Sequence, residues 1–187
     1  MLRRYYPEKT VSYDTRSEKA GSKGKILDRV AKAAYDNNRA YEGCARCVLH
    51  ALQTHLNILD DINSFKEAMK SNTALSAGVA RKGETCGALL GALMAIGLET
   101  GTESLDDFDS YVDTMRAASE VFDCFKEHYG TVKCFEIQEK LFGRRINFFK
   151  DEDAKWWYEH EGLDKCPGVC ATAARIAAEV IFTLREE

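Results

Sequence analysis

Apolar positions along most of this chain recur at spacings of three and four, the period of a helix buried on one side, and the strict alternation that strands need is scarce. From Gly24 to Asn38, the residues Ile26, Leu27, Val30, Ala31 and Ala34 share one face, and the chain then breaks or bends near Gly43. After Gly43 the set Cys44, Cys47, Val48, Ala51, Leu52, His55 and Leu56 predicts a second helix with both cysteines inward. Ser64 followed by Glu67 has the form of a capping box, which predicts a helix over 64–81. The stretch from Gly83 to Leu98 carries no charge after Glu84, so residues 84–100 are predicted as a central helix buried on all sides, with Thr85 as its cap. Gly87 and Gly91 within it let other backbones, or a bulky inorganic group, approach closely.

The longest helix is expected over Asp106 to Tyr129, with Phe108, Tyr111, Val112, Met115, Phe122, Phe125 and Tyr129 on its inner face and Gly130 as its stop. A short helix follows from Cys134 to Gly143, and another from Asp151 to His160 lies in an aromatic-rich connection. Pro167 suits the first position of a helix, so the last helix is placed from Cys166 to Arg185 with Val169, Ala173, Ile176, Val180 and Leu184 inward. The pattern predicts an all-α fold, a compact bundle of about six to eight helices around the central one. Residues 1–23 lack apolar periodicity and read as an N-terminal arm, which leaves 24–187 as a single domain.

Composition narrows the function. A formal charge of −4 spread over both signs provides no basic stripe for nucleic acid. Arg3 and Arg4 are not followed by an apolar run, so neither a secretory nor a twin-arginine leader is expected, and no uncharged run approaches the ~20 residues of a membrane span. A cytoplasmic protein without membrane association is the resulting expectation. In a reducing compartment, seven cysteines point to metal or redox chemistry rather than to structural disulfides.

The placement of those cysteines carries the chemistry. Cys44, Cys86, Cys134 and Cys166 each fall in the first turn of a predicted helix. Unpaired N–H groups and the positive end of the helix dipole favour a thiolate at such positions. Four such ends converging make an electropositive pocket lined by sulfur, which suits an anionic iron-sulfur cluster. These four are the candidate cofactor ligands. Cys47 and Cys170 lie one turn further along their helices as secondary candidates, and Cys124 reads as core.

The same residues carry a resemblance. The segment from Gly83 to Leu98 resembles the central motif of the redox-active C-GCAxxG-C-C family, and Gly43-Cys44-Ala45, Val132-Lys133-Cys134 and Cys166-Pro167 match its other cysteines in order. That family is similar in sequence to the split-Soret cytochromes c. The resemblance implies electron transfer or redox sensing, alone or as an oxidoreductase component with a redox partner protein. Those cytochromes are dimeric, and the Tyr and Trp content here suits a homodimer face. Cys44-Ala45-Arg46-Cys47 is followed by Val48, so the haem-attachment pattern is absent and covalent haem is not expected.

Other readings stay open. Cys44 and Cys47 could form a metal-free thiol/disulfide pair. Cys44, Cys47, Cys166 and Cys170 could hold a structural zinc in an interaction module. His50, His55, His128 and His160 show no regular ligand spacing, Trp156 and Trp157 suit packing or a lid, and Arg144-Arg145 suits either solvent or an acidic partner.

Overall fold

The computed structural model describes residues 23–186, so the N-terminal arm lies outside the described residues except for Lys23. Those residues form α1 (Lys23–Ala40), α2 (Cys44–Leu56), α3 (Ile62–Ser71), α4 (Gly87–Thr100), α5 (Phe108–Tyr129), α6 (Cys134–Phe142), α7 (Asp151–Glu159) and α8 (Gly162–Glu186). No strand occurs among them, and the fold is all-α as its periodicity requires.

The apolar stripes decide the packing. Leu27, Val30 and Ala34 of α1 lie against α8, the most extensive helix pair of the fold. In α2 the buried stripe is Cys47, Val48, Ala51, Leu52 and Leu56, joined by Ala45 and Leu49. The expected central helix is α4, which packs against α2, α5 and α8, with Leu89, Ala92, Ala95 and Ile96 fully buried. A Cβ on Gly91 would stand 2.3 Å from the Ala45 carbonyl oxygen, so only glycine allows α2 and α4 to meet this closely. By length and composition α8 could cross a membrane, but half of its most apolar window is buried inside the protein. Its contacts with α1, α2, α4 and α5 account for that composition.

Several boundaries differ from the sequence expectations. The cap of α3 is Asp61, whose carboxylate accepts from the Ser64 N–H, so Ser64 sits inside the helix and does not cap it. That helix ends at Ser71, well short of residue 81. A 3-10 turn, Asn72–Leu75, follows, and then Ala77, Gly78, Val79, Ala80 and Arg81 all take φ between 50 and 73°. A left-handed run costs about 1–2 kcal/mol per L-residue. It is held here by hydrogen bonds such as Ala80 N–H to Ala74 O (2.7 Å) and Glu84 N–H to Gly78 O (3.0 Å).

The cap of α4 is Cys86 and not Thr85, because Thr85 is drawn into a bridge with Lys133. Helix α8 begins at Gly162, not at Cys166, and Pro167 lies inside it. Of the inner face expected for α5, Phe125 is buried, whereas Phe108, Tyr111 and Met115 are exposed; the buried residues are Ala117, Val121 and Phe125. Trp157 is buried, and Trp156 is half-buried with its ring stacked on His160 at 4.0 Å.

Candidate functional site

The loops preceding α2, α4 and α6 place three of the candidate cysteines. Gly43 takes φ 98° immediately before Cys44, the first residue of α2. This left-handed turn brings the chain from α1 into α2 with the Cys44 sulfur directed at the turn beyond α3. There the Ala77 N–H donates to Cys44 Sγ at 3.4 Å. Cys86 and Cys134 are set by each other's loops. The Cys86 N–H donates to Val132 O (2.7 Å) and the Cys134 N–H donates to Glu84 O (2.6 Å), on either side of the antiparallel Thr85–Lys133 bridge. Side chains alternate along such a pair, so residues 86 and 134 share a face, and both chains then turn into helices from that point.

Cys166 comes from the second turn of α8, beside Pro167. A proline has no N–H for the carbonyl four residues back, here Leu163, so one helix hydrogen bond is missing next to Cys166. The Trp157 indole N–H lies close enough to Cys166 to favour its thiolate, yet it does not meet hydrogen-bond geometry with any partner. One turn further along α8 is Cys170, whose sulfur lies 4.0 Å from the Cys44 carbonyl oxygen.

These positions meet in one cavity of about 790 Å³ whose wall includes Cys44, Cys86, Cys134, Cys166 and Cys170. The four primary candidates are therefore brought together, and Cys170 joins them from the secondary set. Cys47 is buried but outside that wall, with its sulfur 3.8 Å from Tyr41 O and 3.9 Å from Asn38 Nδ2. Cys124 corrects the core expectation, since it is exposed on α5. Gln138, one turn after Cys134, donates from Nε2 to its sulfur at 3.5 Å and accepts the Ile146 N–H through Oε1 at 2.8 Å. The i, i+4 spacing on α6 was the sequence signal for it.

Electrostatically the site departs from the helix-dipole expectation. Burial raises the Cys44 thiol pKa despite the Ala77, Ala45 and Gly87 N–H groups facing its sulfur. Cys86 is raised by burial and by the neighbouring Cys44, against the opposing N–H groups of Ala88 and Leu89. Cys134 is raised by burial and by Cys86, Cys44 and Cys166. Burial pushes Cys166 up to about 12, and Cys170 is raised well above its ordinary value by burial and by its cysteine neighbours. Helix ends do face the sulfurs, but loss of water outweighs them.

Among the described residues, no group of three or more His, Cys, Asp or Glu side chains closes on a single metal-ion position. The thiols instead line a wall around open space. All seven cysteines are free thiols.

Residues 42–180, more than half of the chain, match the family model described as "Putative redox-active protein (C_GCAxxG_C_C)". Comparison with curated proteins and with solved structures gives no match.

Proposed function

The chain belongs to the C_GCAxxG_C_C family, and from that premise we propose that it is an electron-transfer or redox-sensing protein whose cavity holds an iron-sulfur cluster on Cys44, Cys86, Cys134 and Cys166. The observation that carries this reading is the convergence of these cysteines, from four different helix starts or turns, on the wall of one cavity. Their donor chemistry suits iron, which thiolates bind well, and the space between them suits a polynuclear group better than one small ion. When bound, such a group supplies one-electron transfer without a proton or a substrate bond.

The protein's own residues supply the rest. Ala77 N–H and Gln138 Nε2 donate to the sulfurs of Cys44 and Cys134, contacts of the kind that tune a cluster's potential. The Trp157 ring, buried between Phe148 and Tyr158, keeps water from the Cys166 side. Cys170 stands as a fifth sulfur close to Cys44 and is the natural substitute when one of the four is lost. Metal-free thiol exchange is less well supported, because it needs an accessible, acidified thiol, whereas Cys86, Cys134 and Cys170 are buried, Cys44 and Cys166 are only partly exposed, and desolvation raises the pKa of all five. Zinc is less well supported because a structural zinc draws four ligands onto one point.

Anaerobic purification followed by visible spectroscopy and iron, sulfide and zinc analysis tests the proposal. Broad visible absorption with stoichiometric iron and sulfide is expected. Colourless protein with zinc alone, or with no metal after reconstitution with iron and sulfide, would refute it.

A further inference from the structure

Helix α5 leaves an apolar face open at its start. Leu105 in the preceding loop and Phe108, Tyr111 and Met115 on the first turns are each more than half exposed. The three helical residues follow at spacings of three and four, and the Phe108 and Tyr111 rings lie 6.1 Å apart. Further along α5, Ala118 and Phe122 are half-buried against the core, so only the N-terminal half of the helix is uncovered. A contiguous apolar face on a folded domain marks a contact surface.

The rim of this face is acidic. Glu103, Asp106, Asp107, Asp109 and Asp113 stand against Arg116 alone, and Arg116 already pairs with Asp113 at 2.8 Å. A second copy laid on the face by two-fold symmetry would set these carboxylates against their own equivalents, which is unfavourable. A covering segment therefore has to be basic.

The chain carries such a segment in its own sequence. Among residues 1–9, Arg3, Arg4 and Lys9 stand against Glu8 alone, and Tyr5 and Tyr6 adjoin the arginine pair. The point from which this segment leaves the fold is also on the correct side. Lys23, the first residue of α1, donates to Glu186 of α8 at 3.3 Å, and the adjacent Arg185 donates to Glu99 of α4 at 2.6 Å. Next to Glu99, the Thr100 carbonyl accepts from Thr114 Oγ1 of α5 at 2.8 Å. Lys23 and the open half of α5 thus lie at the same end of the bundle, opposite the cysteines.

Distance does not limit the contact. Helix α1 packs on α8 and α8 on α5, so two helix spacings of ~10 Å separate the outer pair. The 22 residues before Lys23 span up to ~70 Å when extended. A tether of this kind also gives an effective concentration in the millimolar range, so a contact too weak to recruit a separate protein is occupied within one chain.

We propose that residues 3–9 cover the N-terminal half of α5 in the same molecule, with Arg3 and Arg4 on its carboxylates and Tyr5 and Tyr6 on Phe108, Tyr111 and Met115. The proposal does not depend on what the cysteine cavity holds.

The test is photocrosslinking in the full chain, with p-benzoylphenylalanine at position 111 and, as a control, at position 120 on the exposed C-terminal half of α5. Equal amounts of unlabelled and ¹⁵N-labelled protein are mixed before irradiation, and the products are mapped by mass spectrometry. Position 111 is expected to join residues 1–22 of its own chain, and position 120 is not. Arg3→Glu combined with Arg4→Glu should lower that yield about fivefold, as the loss of two exposed charge pairs allows. Adding Asp109→Lys and Asp113→Lys should restore it.

Products that join labelled to unlabelled chains would put a second copy on this face and overturn the proposal. So would the absence of any product within residues 1–22, equal yields from positions 111 and 120, or a yield that charge reversal leaves unchanged. Failure of the compensating reversal to restore the yield would remove the assigned charge pairing and with it the proposal.

Discussion

The sulfur of Cys44 occupies space that a β-carbon on Gly87 would need, 2.5 Å from that position. The relationship ties the first residue of α2 to the first residue of α4, and it explains why the central helix opens with a residue that has no side chain. The Leu75 carbonyl oxygen and Ser76 Cα lie 2.9 and 3.0 Å from the same point, so rotation of the thiol alone does not make room.

Gly87→Ala is accordingly expected to destabilise the protein by about 1–3 kcal/mol, the range for an overpacked site, and to lower its iron content. Gly97, on the same helix, is exposed and has nothing within 4 Å of an added Cβ. Gly97→Ala should instead stabilise by roughly 0.5–1 kcal/mol through the helix preference for alanine. Thermal denaturation of the two variants beside the wild type decides this, and equal melting temperatures would contradict it.

A pH dependence follows from His50. Burial, then His55 and Arg46, hold its pKa below the ordinary imidazole value, while it packs on Phe65 at 6.0 Å between ring centroids. The folded protein thus binds a proton on His50 less readily than the unfolded chain. Its neutral form contributes fully above the unfolded pKa of ~6.5, and stability is lost as pH falls below that value towards the lower folded pKa. His55 is shifted in the same direction by burial and Arg29. Denaturant melts between pH 8 and 5 should show this loss, and His50→Gln should flatten it; a His50→Gln profile as steep as the wild type's would show that His50 is not the group responsible.

Much of this arrangement can be read in the sequence, for identifiable reasons. Helices α2, α4 and α6 announce themselves because their apolar spacing or all-round apolarity agrees with a start signal at Gly43, the Gly83–Cys86 loop and Lys133, and Gly130 and Gly143 stop α5 and α6 in the left-handed conformation. The grouping of Cys44, Cys86, Cys134 and Cys166 was legible because each sits close to a helix start. Where local signals compete with long-range packing, the reading fails. Pro167 looks like a first helical residue, yet α7 docks so that a Cβ on Gly162 would stand 2.2 Å from the Trp157 ring, and the helix starts there.

The left-handed run from Ala77 to Arg81 carries no local signal except Gly78, and alanine, valine and arginine ordinarily avoid it. It exists because the hydrogen bonds around residues 74–84 and the wall of the cavity fix it from outside the segment. Periodicity also cannot show where a helix's partner ends. The N-terminal half of α5 has helical apolar spacing but no buried residue before Ala117, so Phe108, Tyr111 and Met115 project outward.

Cys124 shares the fate of that helix, and its exposure makes a direct prediction. Burial and the carboxylates of Glu120, Glu127, Asp123 and Glu179 raise its pKa, so its thiolate fraction at pH 7 is below that of a free cysteine. A maleimide should still modify Cys124 first in the native protein, at a rate that rises with pH through the ordinary thiol range, while the buried Cys86, Cys134 and Cys170 react only on unfolding. Peptide mapping after brief labelling checks this. Early modification of Cys86 or Cys170 would show a cavity far more open than their burial indicates.

The cysteines themselves give the most discriminating set of variants. Serine keeps nearly the same shape and binds iron less well, so a lost ligand should appear as lost iron without gross unfolding. Replacing Cys86 or Cys134 should abolish the visible absorption, because their loops fix each other across the Thr85–Lys133 bridge and neither sulfur has a substitute on its own helix. Cys47→Ser should retain iron, since that sulfur faces Tyr41 O and Asn38 outside the cavity wall, and Cys124→Ser should behave as wild type. Cys166→Ser is expected to give an altered spectrum with partial iron, because Cys170 stands one turn away in the same wall, and Cys166→Ser combined with Cys170→Ser should abolish binding. Besides full metal in Cys134→Ser, a four-ligand set of Cys44, Cys47, Cys166 and Cys170 makes the opposite prediction at two further positions, full metal in Cys86→Ser and none in Cys47→Ser. Iron analysis of those two single variants alone separates the assignments, and retention of full iron in Cys86→Ser would remove the central helix from the site.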